Sequence, residues 1–190
     1  MVSRSIYRTK PGFSLVEMLT VMAIIGVLLA VAAPSIGSLV RATELTAAGD
    51  SVHALLHNAR QAARAKNVPV EIRFYRESAE AEVAMVEAYA QKDDGSYERI
   101  GVHTFEVGKG IITLKPAMTT LLLGAFLEDL RENRPEPKNY QFFRFRPDGS
   151  TELDESRKWF LTLLYDENSE DNYYTIQVNP FSGNLKTYRP

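Results

Sequence analysis

The chain has 190 residues, 45% of them hydrophobic, and a formal net charge of −2. Three of its 22 basic residues fall in the first twelve positions, so from Phe13 onward 19 Lys and Arg face 24 Asp and Glu, and so mildly acidic a chain argues against nucleic-acid binding as its main purpose. The absence of cysteine excludes disulfides and thiolate chemistry and leaves export neither supported nor opposed.

Residues 1–12 carry Arg4, Arg8 and Lys10, no acid, and end in Gly12. Residues 13–33 are almost wholly apolar, with one full charge, Glu17. About 20 apolar residues suffice to cross a bilayer core of roughly 30 Å as a helix. Two readings compete. A secretory signal has a basic start, a short apolar core and a small-residue cleavage site. Here the apolar run is too long, and Ala30-Val31-Ala32-Ala33-Pro34 matches such a site only loosely. A retained membrane helix over residues 13–34 fits the span length better; its basic flank stays cytoplasmic and everything after Pro34 is exported. A lone carboxylate in such a helix costs on the order of 2.5–3.5 kcal/mol, so Glu17 either has a partner or sits in the headgroup layer.

The run Gly12-Phe13-Ser14-Leu15-Val16-Glu17-Met18-Leu19 resembles the prepilin signal of type IV pilins and type II secretion pseudopilins. The shared features are a short basic leader, a Gly, a Phe, and a Glu four residues after the Phe inside an unbroken apolar run. The resemblance implies that a prepilin peptidase/methyltransferase cuts between Gly12 and Phe13 on the cytoplasmic face and N-methylates Phe13. It implies a helix kink at Pro34 and a loosening around Gly26 in assembled filaments. The freed amine would then pair with Glu17, within one subunit or between neighbours, offsetting the burial of either charge and setting the axial register. The implied partners are that enzyme, other pilin or pseudopilin subunits, an inner-membrane assembly platform and membrane lipid. No nucleic acid, cofactor or metal is expected. The implied location is the bacterial inner membrane, single-pass with a periplasmic C-terminal domain, and then a periplasmic or extracellular filament.

Residues 35–67 read as an amphipathic continuation of the same helix. Leu39, Ala42, Leu45, Val52, Leu55, Leu56, Ala59 and Ala63 recur at three- and four-residue steps and form one apolar stripe suited to packing on a sheet. Asn67-Val68-Pro69 ends it. His53 and His57 share a face, as metal ligands do, but lack the zinc-protease Glu and a nearby third His; they read as solvent-facing or packing residues.

Residues 68–190 read as a β-rich domain. Residues 70–75 alternate with period two, residues 84–91 form a second strand, and Asp93-Asp94-Gly95-Ser96 turns into a return strand over 97–107. A short strand over 111–114 precedes an apolar run, 119–133, that reads as a helix of three or four turns. The last fifty residues read as one antiparallel unit with strands at 140–146, 158–165, 173–179 and 185–188, joined by turns at Pro147-Asp148-Gly149-Ser150 and Pro180-Phe181-Ser182-Gly183-Asn184. The loop at 166–172 is acidic, with a calcium site weighed against a plain solvated turn. Aromatics crowd the C-terminal third, read as sheet core or, alternatively, as an exposed patch for a partner.

Phe143-Arg144-Phe145-Arg146-Pro147-Asp148-Gly149 and residues 174–183 resemble the C-terminal part of H-type minor pseudopilins and related minor pilins. A narrower resemblance, on Leu45-Thr46, Ala59-Arg60-Gln61-Ala62-Ala63 and Pro69-Val70-Glu71-Ile72-Arg73-Phe74-Tyr75, is to an uncharacterised family of verrucomicrobial prepilin-like cassette proteins. The expected fold class is α+β: a long N-terminal helix, half transmembrane and half amphipathic, packed on an antiparallel β-rich domain. No phosphate loop, dinucleotide fingerprint, nucleophile elbow or zinc-protease motif is present. The expected function is a structural filament subunit, a minor pilin or pseudopilin, and not an enzyme. The alternatives are a filament-tip module binding a secreted substrate, DNA or a surface, and a membrane-anchored protein outside any filament.

Overall fold

A computed structural model describes residues 12–76, 83–101, 105–106, 113–114, 119–122, 127–128, 139–164 and 172–190; within these, the side chains of 31–36, 38, 84, 105–106, 113–114 and 127–128 are not described. The chain divides into two compact units, Met1–Val40 and Arg41–Pro190. Helix α1, Leu15–Lys66, contributes residues to both. It ends where expected, and the reason is visible. Asn67 adopts φ 54°, a left-handed conformation that Asn tolerates better than most residues. The Val68 N–H then donates to the Ala63 carbonyl at 3.3 Å, the long return bond of a Schellman motif.

In the second unit, α1 buries Leu45, Ala48, Val52, Leu55, Leu56, Ala59 and Ala63. The expected stripe holds from Leu45 onward. Leu39 is exposed and Ala42 only half-buried, so the stripe begins later than its periodicity suggests. Strands β1 (Val70–Arg76), β2 (Val83–Gln91), β3 (Tyr97–Arg99), β4 (Phe105–Glu106), β5 (Thr113–Leu114), β6 (Leu127–Glu128), β7 (Asn139–Phe145), β8 (Trp159–Leu164), β9 (Tyr173–Val178) and β10 (Leu185–Tyr188) follow. Among the described residues they form two antiparallel sheets, one ordered β3-β2-β1-β7-β6 with β4 also on β2, the other β10-β9-β8-β5. One core joins the helix stripe to Ile72, Phe74, Val86, Phe143 and Phe145 of the first sheet and to Leu161, Leu163, Ile176 and Val178 of the second.

Two expectations are corrected. The apolar run 119–133 is not a helix of three or four turns: Thr120–Leu122 is a single 3-10 turn and Leu127–Glu128 is a strand on β7. A short apolar run suits helix and strand alike, and here it supplies a neighbour for β7, whose backbone would otherwise be an open edge. The last fifty residues are not one sheet. β7 pairs with β1, whereas β8, β9 and β10 belong to the other sheet; after the turn at 147–150 the chain bridges back to β7, Thr151 opposite Phe145, and crosses to the other sheet only between there and β8. Period two in a strand reports two different faces, and it does not say which sheet the strand joins. β1 is buried along its whole length, its charged residues included.

The two C-terminal turns meet. A Cβ on Gly183, at φ 63°, would lie 2.0 Å from the Gly149 carbonyl oxygen. The Arg60 Nε–H donates to that same oxygen at 3.1 Å. Both turns thus dock together beside α1, which only a glycine with left-handed backbone permits.

Candidate processing and assembly site

The helix start is built by two side chains. Ser14 precedes α1, its Oγ accepts the Glu17 N–H at 3.1 Å, and its own N–H donates to Glu17 Oε2 at 3.4 Å. The first helical bond runs from the Met18 N–H to the Ser14 carbonyl at 3.2 Å. This is a capping box with Ser14 at the N-cap and Glu17 three residues on. The carboxylate in the first turn also faces the positive end of the helix dipole. Gly12 and Phe13 lie before the helix in non-helical backbone. Sequence reasoning singled out Gly12, Phe13 and Glu17 and missed Ser14, although Ser-x-x-Glu before an apolar run is its signature.

Behind the cap, the apolar side chains are exposed. Phe13 is 77% exposed, and Leu15, Val16, Leu19, Met22, Ile24, Ile25, Val27, Leu28 and Leu29 are all exposed as well. Soluble proteins rarely leave so continuous an apolar surface open. Among the described residues no helix is long and apolar enough to cross a membrane; the run of described side chains is interrupted after Ala30, over 31–36. The backbone stays helical through Pro34, whose side chain lies outside the described residues. A Cβ on Gly26 would meet nothing within 4 Å among the described residues.

The other concentration of charge is on the face of the first sheet turned away from the core. Glu71 stands opposite Tyr89 and Arg144, and Arg73 opposite Glu87 and Phe142. Glu71 is 2% exposed and accepts from Arg73 at 2.5 Å and from Arg144 at 2.9 Å. Glu87 accepts from the Tyr89 hydroxyl and from Arg99. The Arg73 guanidinium lies 4.2 Å from the Tyr89 ring centre and 4.6 Å from that of Tyr140. Burial works against the Arg73 charge, but Glu71, by charge and hydrogen bond, more than offsets it and raises the pKa. Arg144 is raised in the same way. Each of these charges has a partner inside the chain, which ties β1 to its neighbours β2 and β7. Its sequence signal was opposite charges two apart in a strand.

The remaining candidates divide cleanly. His53 and His57 stack with ring centres 6.3 Å apart, and His57 contacts Gln61. No group of three or more His, Cys, Asp or Glu among the described residues is placed to hold a metal ion. All of the acidic loop 166–172 except Asn172 lies outside the described residues. The C-terminal aromatics split: Phe143, Phe145 and Tyr174 are buried, while Phe181 is exposed. Tyr174 donates to Asp50 at 2.7 Å and packs against Gly49 of α1. Burial and that bond push its hydroxyl up to about 12. A cavity of about 550 Å³ beside α1, lined by Ala54, Asn58, Ala62, Lys66, Ala88 and Ile100 among others, supplies no acid–base pair.

Residues 7–33 match the family model for the prokaryotic N-terminal methylation motif. No curated protein matches the chain. Among solved structures, the minor pseudopilin EpsH from the type 2 secretion system of Vibrio cholerae is 11% identical over 77% of this chain and 98% of that chain, with a TM-score of 0.49. The type IV minor pilin FimU of Pseudomonas aeruginosa is 11% identical over 78% of this chain and 93% of that chain, with a TM-score of 0.51. At that identity the likeness to FimU speaks for the fold alone. A capped helix start, followed by a helix packed on antiparallel sheets, makes this a chain that carries the prokaryotic N-terminal methylation motif on an α+β fold similar to that of a type IV minor pilin.

Proposed function

We propose that the protein is a structural subunit, a minor pilin or pseudopilin, of a type IV pilus-like or type II secretion filament. The observation that carries this reading is the open apolar surface running from Phe13 to Leu29, directly behind a helix start that lies inside the methylation motif. Such a surface needs lipid first and neighbouring helices afterwards. In this reading residues 1–12 are a leader, and a prepilin peptidase removes it between Gly12 and Phe13 and methylates the Phe13 amine. Residues 13–34 hold the precursor in the inner membrane, with residues 35–67 continuing the helix and residues 68–190 forming the exported domain. A platform in that membrane then feeds the subunit into the filament. Pro34 bends the helix by removing one backbone donor. Glu17 meets the Phe13 amine of its own or a neighbouring subunit, and each charge offsets the burial of the other.

Intact-mass analysis of the protein purified from membranes tests the reading. The expected result is loss of residues 1–12 and one added methyl on Phe13. A chain that keeps its leader overturns it. Recovery of the processed chain in sheared filaments separates a filament subunit from an anchored protein that never assembles.

A further inference from the structure

The cap at Ser14 lies one residue from the bond that the proposed processing breaks. Hydrolysis adds water across the Gly12–Phe13 amide: the oxygen goes to the Gly12 carboxylate, and the Phe13 nitrogen leaves as an amine. A peptidase must reach the Gly12 carbonyl carbon from its open face. In a helix that carbonyl is committed to an N–H four residues on and packed within a turn of backbone. In this chain the helical ladder begins only at the Ser14 carbonyl, which accepts from Met18, and Gly12, Phe13 and Ser14 are non-helical.

The sequence contains a rival start. Pro11 is a residue type favoured at the first helical position. A helix begun there would take the Gly12–Phe13 bond into its first turn. Against it stand Gly12, a poor helix former, and the Ser14–Glu17 capping box. Ser is among the strongest N-cap residues, and Ala among the weakest.

We propose that Ser14 is a positioning residue for leader removal: its reciprocal cap with Glu17 fixes the helix start at Leu15 and holds the Gly12–Phe13 bond in open backbone for the peptidase. The same cap aims Glu17 Oε2 at the Ser14 N–H, one residue from the nitrogen that cleavage frees. The role rests on the reading of the chain as a prepilin substrate. Loss of a cap shifts a helix-start equilibrium roughly five-fold. A peptidase that binds only the open register then shows an apparent KM raised by up to that factor, the full factor applying once the rival register dominates, with kcat unchanged.

The test is steady-state cleavage of the full-length precursor in membrane vesicles by its prepilin peptidase, for the wild type, Ser14→Ala and Ser14→Asn. Ser14→Ala is expected to raise KM, by up to about five-fold, at constant kcat. Ser14→Asn restores the wild-type KM, because Asn caps as well as Ser while differing from it in size. An unchanged KM in Ser14→Ala overturns the role. So does a loss confined to kcat, or an Asn variant as poor as the Ala variant, which would mean that the peptidase reads the serine itself. A wild-type chain left uncut overturns the prepilin reading and this role together, whereas a wild type that is cut alongside an unaffected Ser14→Ala overturns this role alone.

Discussion

Glu17 and Glu71 are both carboxylates in apolar stretches of sequence, and the chain treats them in opposite ways. Glu71 is buried and satisfied from within, by Arg73 and Arg144. Glu17 is exposed, and among the described residues it touches only the Ser14 cap and no cation. Around Glu71, charge is inside the fold; around Glu17, apolar side chains are outside it. A buried charge with its partners supplied belongs to folding, because removing either partner leaves the other stranded. In the proposed function, an exposed apolar surface carrying one charge belongs to assembly, where lipid or another subunit would cover it.

That contrast can be broken in order of expected effect on the stability of the full chain in detergent, followed in denaturant by the fluorescence of the single Trp159. Glu71→Ala strands Arg73 and should cost about 3–5 kcal/mol. Replacing Glu71 and Arg73 together by Leu and Met should recover most of that loss; an equally unstable double variant would show that the pair does more than satisfy itself. Gly183→Ala meets the Gly149 carbonyl and a left-handed backbone, and should cost about 2–3 kcal/mol. Gly95→Ala, with φ 82° but open space around it, should cost only about 1–2 kcal/mol.

Tyr174→Phe removes the bond to Asp50 and should cost about 1 kcal/mol. It also tests a pH dependence. The folded Tyr174 hydroxyl is pushed up to about 12, while an unfolded tyrosine titrates near 10. Its contribution is therefore fully present below pH ~10 and is lost as pH rises towards 12. The Phe variant should lack that alkaline decline. The smallest effect belongs to Glu17→Gln, at under about 0.5 kcal/mol. Gln also serves at the third position of a capping box, so the helix start survives while the charge goes. In the proposed role the leader is still removed and filament incorporation fails. Normal incorporation would remove Glu17 from the assembly mechanism.

Much of this was legible locally. The end of α1 at Asn67, the turns at Gly95 and Gly149, and strands β1, β2 and β7 to β10 follow from residues whose backbone preferences act over four or five positions. The capping box at Ser14 was equally legible and was overlooked behind the stronger signal of Glu17. What local preference does not carry is pairing at long range. Nothing in residues 119–133 says that Leu127–Glu128 lies on β7, and nothing near Gly183 announces Gly149.

By itself, the sequence carried the features on which the proposed class rests: a basic N-terminal stretch, a Gly-Phe junction, an apolar run with one acid, and an amphipathic helix followed by strands. Those features are periodic or contiguous, so they survive without knowledge of the fold. Only the tertiary structure decided which charges are spent inside the domain. Glu71, Arg73, Glu87 and Arg144 look like a solvated face in one dimension. They become a closed network because β1 runs between β2 and β7, which brings three strands' charges and rings onto one face within ion-pair and ring-contact distance.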